Sequence, residues 1–336
     1  MADQRDGGIA WCDESWNPIR GCQVVGPECA HCYAMGVAAR FSGPGLPYEG
    51  LAKRSGKRGL PQWTGEVRLV RDHLLDPLRW RRARRIFTNS MSDLFYEGFT
   101  DAQIDNVVAV QMIASTHERS AGHTFQNLTK RPERMHAYLT DPATQERVAR
   151  AAGALMEDGD GWADALSFRP EGLVHPRIWW GVSVGMRDTR DRIAELRDMP
   201  AGLRFVSFEP LLEDLGRVDL TGIHWAIIGG ESGASARPLE VAWVRRLMKH
   251  ARAAGTAIFV KQLGSNVRDS NDAFDTMGDG DDTALWPPTI DPEQVEDSVH
   301  GFREDHQGAL VRIRLRKKGG IVSDWPPDLR VQEFPR

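Results

Sequence analysis

Seven short runs of apolar, β-branched or aromatic residues punctuate the chain, and each leads into a polar cluster and then a helix-like stretch. They fall at residues 16–21, 85–91, 123–129, 178–184, 204–208, 224–228 and 257–260. Amphipathic segments lie between them. Residues 101–119 open after Thr100, a good N-cap, and carry apolar residues at helical spacing. Residues 186–199 and 239–254 follow the same pattern, the last ending at Gly255. Strands that alternate with helices pair in parallel, because each helix carries the chain back across the sheet. The expectation is an α/β fold, a partial or complete parallel (β/α) barrel. In such a barrel the residues just after each strand line one mouth, where active sites are built. Here those residues are polar.

Two stretches break the rhythm. Residues 140–176 contain a helical stretch and the turn Asp158-Gly-Asp-Gly161, which suggests an insertion. Residues 265–310 are loop-like and acidic, with Asp279-Gly-Asp-Asp282. The expected organisation is therefore a barrel over residues 1–264 and a C-terminal extension over 265–336, packed on the barrel. Neither Asp run has the ligand spacing of a calcium loop. With 336 residues, 41% of them hydrophobic, there is chain enough for a large core. No apolar run reaches the roughly 18 residues of a membrane span, and the opening MADQRDGG has no signal-peptide core. The expected location is cytoplasmic, without a membrane partner. A net charge of −4 weighs against nonspecific coating of nucleic acid but leaves room for a local basic groove.

All four cysteines, Cys12, Cys22, Cys29 and Cys32, fall in the first tenth of the chain. A disulfide framework would spread them out, so crowding points to metal or redox chemistry. Three thiolates on a compact loop can hold three irons of a cubane cluster and leave the fourth open to a small molecule. Gly21 and the pair Gly26-Pro27 supply the turns that bring three sulfurs to one face. Two alternatives stay open: a structural zinc that adds Cys12 or His31 as fourth donor, or cysteines that bind nothing.

The segment Asn17-Pro-Ile-Arg-Gly-Cys22, followed by Cys29-Ala-His-Cys32-Tyr33-Ala34, resembles the cluster loop of radical S-adenosylmethionine (SAM) enzymes, especially the branch that includes spore photoproduct lyase. Six residues separate the first two cysteines, where three are usual. The whole chain is similar to a phage- and prophage-associated family of unknown function with a radical-SAM-like barrel. The matching segments are Trp11 with Trp16-Asn-Pro18, Asn89-Ser-Met-Ser-Asp-Leu-Phe95, Leu128-Thr-Lys-Arg-Pro-Glu-Arg-Met135, Gly181-Val-Ser-Val184, Phe208-Glu-Pro-Leu-Leu212, Gly229-Gly-Glu-Ser-Gly233 with Ala236-Arg-Pro238, Val260-Lys-Gln-Leu-Gly264, and near the end Trp325-Pro-Pro-Asp-Leu-Arg330 with Glu333-Phe-Pro335. Where that family often has Glu-Asn after Gly-Val-Ser-Val, this chain has Gly185-Met186.

The resemblance implies a barrel of the radical SAM type with one [4Fe-4S] cluster on Cys22, Cys29 and Cys32. It also implies SAM as the ligand of the open iron, and an external one-electron donor such as flavodoxin. His31 and Tyr33 would flank the cluster. On chemical grounds Ser90, Ser92 and Asp93 suit the ammonium of SAM. Lys130 or Arg131 suits its carboxylate, and Ser183 or Glu209 its ribose. Arg131, Glu231, Lys261 and Gln262 are candidates to face substrate. Each has a plainer explanation: Ser92 and Asp93 as helix caps, Lys130-Arg131 as a solvated helix start, Glu209 as a salt-bridged core carboxylate, and Trp179-Trp180 as packing. The phage link implies a thymine-type base in phage DNA as substrate, acted on in the host cytoplasm. Arg81, Arg82, Arg84 and Arg85 would then contact phosphate, although a solvated helix end is the plainer and favoured reading of the run. The competing functions are a zinc-stabilised nucleic-acid-binding phage protein and a radical SAM enzyme acting on a peptide or small metabolite.

Overall fold

A computed structural model describes residues 9–54, 59–117, 120–157, 173–269, 311–313 and 320–335. The chain divides into two compact units: Met1–Val184 with Arg190–Ser207 and Gly222–His224, and Gly185–Thr189 with Phe208–Thr221 and Trp225–Arg336.

In the first unit, β1 (Glu14–Trp16) and β2 (Ile19–Arg20) lead to helix α1 (Tyr33–Arg40). Strands β3 (Ala52–Arg54), β4 (Pro61–Trp63) and β5 (Arg68–Leu69) and the short helices α2 (Arg71–Leu74) and α3 (Asp76–Arg79) come next. Then follow β6 (Arg85–Thr88), α4 (Asp101–Thr116), β7 (Thr124–Thr129), α5 (Pro132–Thr140), α6 (Thr144–Glu157), β8 (Ile178–Ser183), α7 (Asp191–Asp198) and β9 (Leu203–Phe208). Strands β1, β6, β7, β8 and β9 pair in that order, and every pair is parallel. Each strand lies beside its successor, with no reversal of order. That is the winding of a (β/α) barrel; a doubly wound sheet reverses partway. The fold is α/β, and its parallel sheet is compatible with a partial (β/α) barrel.

Local chemistry explains the elements. Pro18 cannot donate to a sheet ladder, so the run over residues 16–21 breaks into β1 and β2. Thr100 and Gln103 form a capping box at the start of α4. All six residues of β8 are buried, as a central parallel strand requires. On one side of the sheet, Gln111 of α4 donates to Thr88 Oγ1 at 3.1 Å and Asn127 Oδ1 at 2.7 Å, so these buried polar groups satisfy one another. In an aromatic cluster, Trp11 packs 4.5 Å from Phe87 and 6.4 Å from Phe205, centroid to centroid. Gly181 leaves the space that Phe205 fills: a Cβ there would stand 2.6 Å from the ring.

The second unit holds β10 (Trp225–Gly229), β11 (Leu239–Glu240), α8 (Val241–Ala253), β12 (Ala257–Gln262), β13 (Val267–Asp269) and β14 (Val311–Ile313). β10 and β12 are parallel, and β13 joins β11 in parallel and β14 antiparallel. Residues 267–269 are thus a strand, not the loop expected from their polarity. Near the C-terminus, Val260 N donates to Val331 O at 2.8 Å, Trp225 Nε1 donates to Glu333 O at 2.8 Å, and Phe334 packs on Trp225 and Phe259. Asp158-Gly-Asp-Gly161 and Asp279-Gly-Asp-Asp282 lie outside the described residues. Among the described residues no helix is long and apolar enough to cross a membrane.

Gly181→Val should overpack the aromatic cluster and cost about 1–3 kcal/mol, read as a lower urea midpoint. Gly36→Ala in α1, with nothing within 4 Å of the added carbon, should be neutral or stabilise by up to about 1 kcal/mol. Equal effects of the two would mean that the Phe205 ring moves aside freely.

Candidate metal centre

The cysteine loop begins where β1 ends. β2 pairs antiparallel with β5, and Gly21 follows at φ +99°. A side chain there would meet Glu66 O at 2.1 Å, so only glycine passes this point. Gly21 also bridges to Ser92, in the loop after β6. Cys22 comes next, a 3-10 turn over Pro27–Cys29 places Cys29, and Cys32 caps the N-terminus of α1. No disulfide joins the cysteines, and all four are part-exposed.

The three loop thiols lie within electrostatic reach of one another, Cys22 of Cys32 and Cys32 of Cys29. Burial pushes the Cys22 thiol up to about 12, with Asp93 adding to the rise and Arg131 opposing it. Burial also raises Cys32, while the first-turn amides of Met35 and Ala34 and the ammonium of Lys130 oppose it. Such thiols ionise only when a cation replaces the lost hydration. Three thiolates can hold three irons of a cubane and leave one iron open. Donors to a single zinc ion would have to gather within about 4 Å of one another. Among the described residues no group of three or more His, Cys, Asp and Glu side chains is gathered to hold a metal ion. Cys12 donates to Ile9 O at 3.6 Å.

Two arginines pin the loop, the buried Arg131 beside Cys22 and the part-buried Arg192 beside Cys29. Arg131 donates from Nη2 to Gln23 O at 3.0 Å, from Nη1 to Asp93 Oδ2 at 3.0 Å and from Nε to Glu97 at 2.9 Å, and it lies over the Tyr96 ring. Arg192 of α7 donates to Glu28 Oε2 at 2.8 Å and to Ser183 O at 2.7 Å. Glu28 sits next to Cys29 and is buried. Nothing in the sequence marks Glu28 or Arg192 as partners, since they are 164 positions apart.

Asp93 is the hub. Oδ1 accepts from Phe95 N at 3.0 Å and Thr129 Oγ1 at 2.7 Å; Oδ2 accepts from Lys130 N and Arg131 Nη1, both at 3.0 Å. Four bonds use the capacity of a carboxylate, so the geometry gives Asp93 a positioning role instead of a place against an ammonium. Ser92 likewise spends its hydroxyl on Ile19 O at 2.9 Å. Ser90 Oγ donates to Asn17 Oδ1 at 3.2 Å, and its carbonyl accepts from Tyr33 OH at 2.6 Å. His31 is exposed beside Cys32, and Ser183 is fully buried at the end of β8. The Lys130 ammonium makes no hydrogen bond or ion pair among the described residues, yet acts on Cys32.

Asn89, between β6 and Ser90, was legible only as part of a motif. It is 3% exposed, sits at φ +62°, and neither its Oδ1 nor its Nδ2 has a partner. Among the described residues no group satisfies this buried amide, and Asn is one of the few side chains that adopts a positive φ readily.

The other expected site residues belong to the second unit. Lys261 Nζ stands 2.9 Å from Glu209 Oε1, and Gly229 gives that carboxylate room, since a Cβ there would come within 2.7 Å of it. Glu231 is clamped by the Arg237 side chain and by its amide at 2.9 Å. Gln262 Nε2 donates to Gly230 O at 3.0 Å. Glu209 is therefore salt-bridged, as its plainer explanation held, and Trp180 is core, packed 5.9 Å from Phe95.

The basic run lies at the wrong end of its strand for a phosphate site serving the cysteine loop. Arg85 opens β6, whereas Ser90 lies beyond the strand's other end at Thr88, which is about 10 Å from Arg85 at about 3.3 Å per residue. Arg84 is paired with Glu14 at 2.6 Å and lies over Trp80, and Arg85 is paired with Asp13 at 3.0 Å.

Residues 6–317 match a family model described as "Protein of unknown function (DUF5131)". Neither the curated proteins nor the solved structures contain a match.

Arg192→Met should strand the buried Glu28 carboxylate and cost about 3–5 kcal/mol, while adding Glu28→Leu should restore most of it. A double-mutant cycle in urea reads both values. Additive costs would show that the two side chains do not act as a pair.

Proposed function

The chain belongs to the DUF5131 family, and we propose that this member is a radical SAM enzyme acting on a thymine-type base in nucleic acid, phage DNA first of all. The observation that supports the proposal is a loop with three cysteines, pinned by Arg131 and Arg192, that follows the first strand of a parallel sheet after the short β2. A [4Fe-4S] cluster on Cys22, Cys29 and Cys32, with SAM on its open iron, supplies one-electron cleavage of SAM and abstraction of a substrate hydrogen.

The chain's own residues bind and orient. Lys130, unpaired and close enough to act on Cys32, offers a charge-assisted bond to the SAM carboxylate. Asn89 offers a fixed donor and acceptor in a dry site, where the geometry need not be reorganised at the moment of reaction. Asp93, Arg131, Glu28 and Arg192 hold the loop and touch neither cofactor nor substrate. Tyr33 and His31 stand on the exposed side of α1 beside Cys32. The electron comes from an external carrier, for which flavodoxin is the model.

Anaerobic reconstitution should give a brown protein with about four irons per chain. Cys22→Ala, Cys29→Ala and Cys32→Ala should each lose the iron, and Cys12→Ala should keep it. A colourless protein with one zinc per chain would replace this proposal with the zinc-stabilised one. In the loaded, reduced protein SAM should yield 5′-deoxyadenosine and methionine. Lys130→Ala should weaken SAM binding at unchanged iron content. DNA carrying a deuterated thymine substituent should pass label to 5′-deoxyadenosine or back to product. Transfer only from a peptide or free metabolite would leave the radical chemistry and remove the nucleic-acid substrate.

A further inference from the structure

The segment that carries the cysteine loop is basic. Residues 19–69 hold seven Lys and Arg against three Glu, in a protein of net charge −4. One of the three, Glu28, is already taken by Arg192. Several arginines elsewhere are neutralised: Arg84, Arg85, Arg131, Arg134, Arg147, Arg192, Arg237 and Arg245 all meet carboxylates. Arg20, Arg40, Lys53, Arg54 and Arg68 meet none among the described residues.

The placement of these cations is ordered. Arg20 and Arg68 are direct cross-strand partners in the β2–β5 pair. Like charges in that position repel and weaken the pair. Their guanidinium groups are nevertheless fixed, by neutral oxygens: Arg20 Nη1 on Pro47 O at 3.0 Å with Tyr48 beneath it, and Arg68 Nη2 on Glu49 O at 2.9 Å. Orientation without neutralisation leaves the positive field available to an anion. Lys53 and Arg54 are exposed on β3, where strand alternation sends them to opposite faces, and Arg20 is two positions from Cys22. Tyr33 opens α1 and Phe41 follows its end, 55% and 42% exposed, and Tyr48 N donates to Phe41 O at 3.0 Å, which sets Phe41 next to the residue beneath Arg20. Aromatic rings beside a track of unpaired cations are the elements of a single-strand platform, on which bases stack while phosphates meet the charges.

We infer that this face, and not the run at residues 81–85, receives the phosphate backbone of a single-stranded nucleic acid and leads a base to the cysteine loop. The inference rests on the nucleic-acid substrate proposed above and names the surface that selects it. Single strands are favoured because a base in a duplex must first be unstacked to reach any pocket.

The test is fluorescence anisotropy of a labelled 12-nucleotide single-stranded DNA with the full chain, across a salt series. Arg20→Gln/Lys53→Gln/Arg54→Gln/Arg68→Gln should weaken binding by at least about tenfold and flatten the salt slope by about 0.7 for each lost phosphate contact. Lys53→Gln/Arg54→Gln, confined to an exposed strand, should retain the wild-type melting temperature and still flatten the slope. Phe41→Ala should weaken binding without changing the slope. Arg81→Gln/Arg82→Gln should change neither. Loss of binding in the Arg81/Arg82 variant alone would overturn this surface and leave the nucleic-acid substrate standing. A wild-type protein that cleaves SAM but binds no oligonucleotide would overturn both. Polyglutamate bound as tightly as DNA would reassign the face to an acidic protein.

Discussion

A buried ion pair, Asp93 with Arg131, holds the described site together. It joins three chain segments that the sequence keeps far apart: the loop after β6 through Asp93, the loop after β7 through Thr129, Lys130 and Arg131, and the cysteine loop through Gln23. Burying two charges is costly, and it is tolerated only when every remaining lone pair and proton finds a partner. Here nearly all do. Removing any one member would leave a desolvated charge, so the network behaves as a unit.

The thiols sit beside that pair in a setting that opposes ionisation. Burial outweighs the nearby cations at Cys22 and Cys32. A bare cysteine nucleophile is usually tuned the other way, towards a low pKa. Thiols raised in this way are poor nucleophiles by themselves, so burial speaks against a bare-cysteine catalyst at Cys22 and Cys32.

Much of the fold was legible because its signals are local. Thr100, Gly255 and the alternation of buried strands with capped helices all act over a few residues, and α4, α8 and the parallel strands formed where those signals lie. The candidate site was legible in its residue types and less so in their duties. Asp93 and Ser92 are polar groups after a strand, which suggested ligands; their bonds to Thr129, Arg131 and Ile19 depend on the three-dimensional approach of loops 36 to 73 positions apart. Glu28, Arg192 and the orphaned amide of Asn89 were invisible for the same reason. The density of the basic run at residues 81–85 says nothing about which end of the strand it occupies; Arg84 and Arg85 are paired with Glu14 and Asp13.

The clamp on the cysteine loop has a consequence for how such a protein would be assembled. Its fastenings are guanidinium groups, carboxylates and main-chain carbonyls, so none of them requires the inorganic component. Many small metalloproteins fold only as they capture their ion, and chelation unravels them. A loop already tied down by Arg131 and Arg192 separates the two events. The loop's path is set by groups that remain when the cysteines are replaced, so the folding of the chain and the chemistry of its thiols can be examined one at a time.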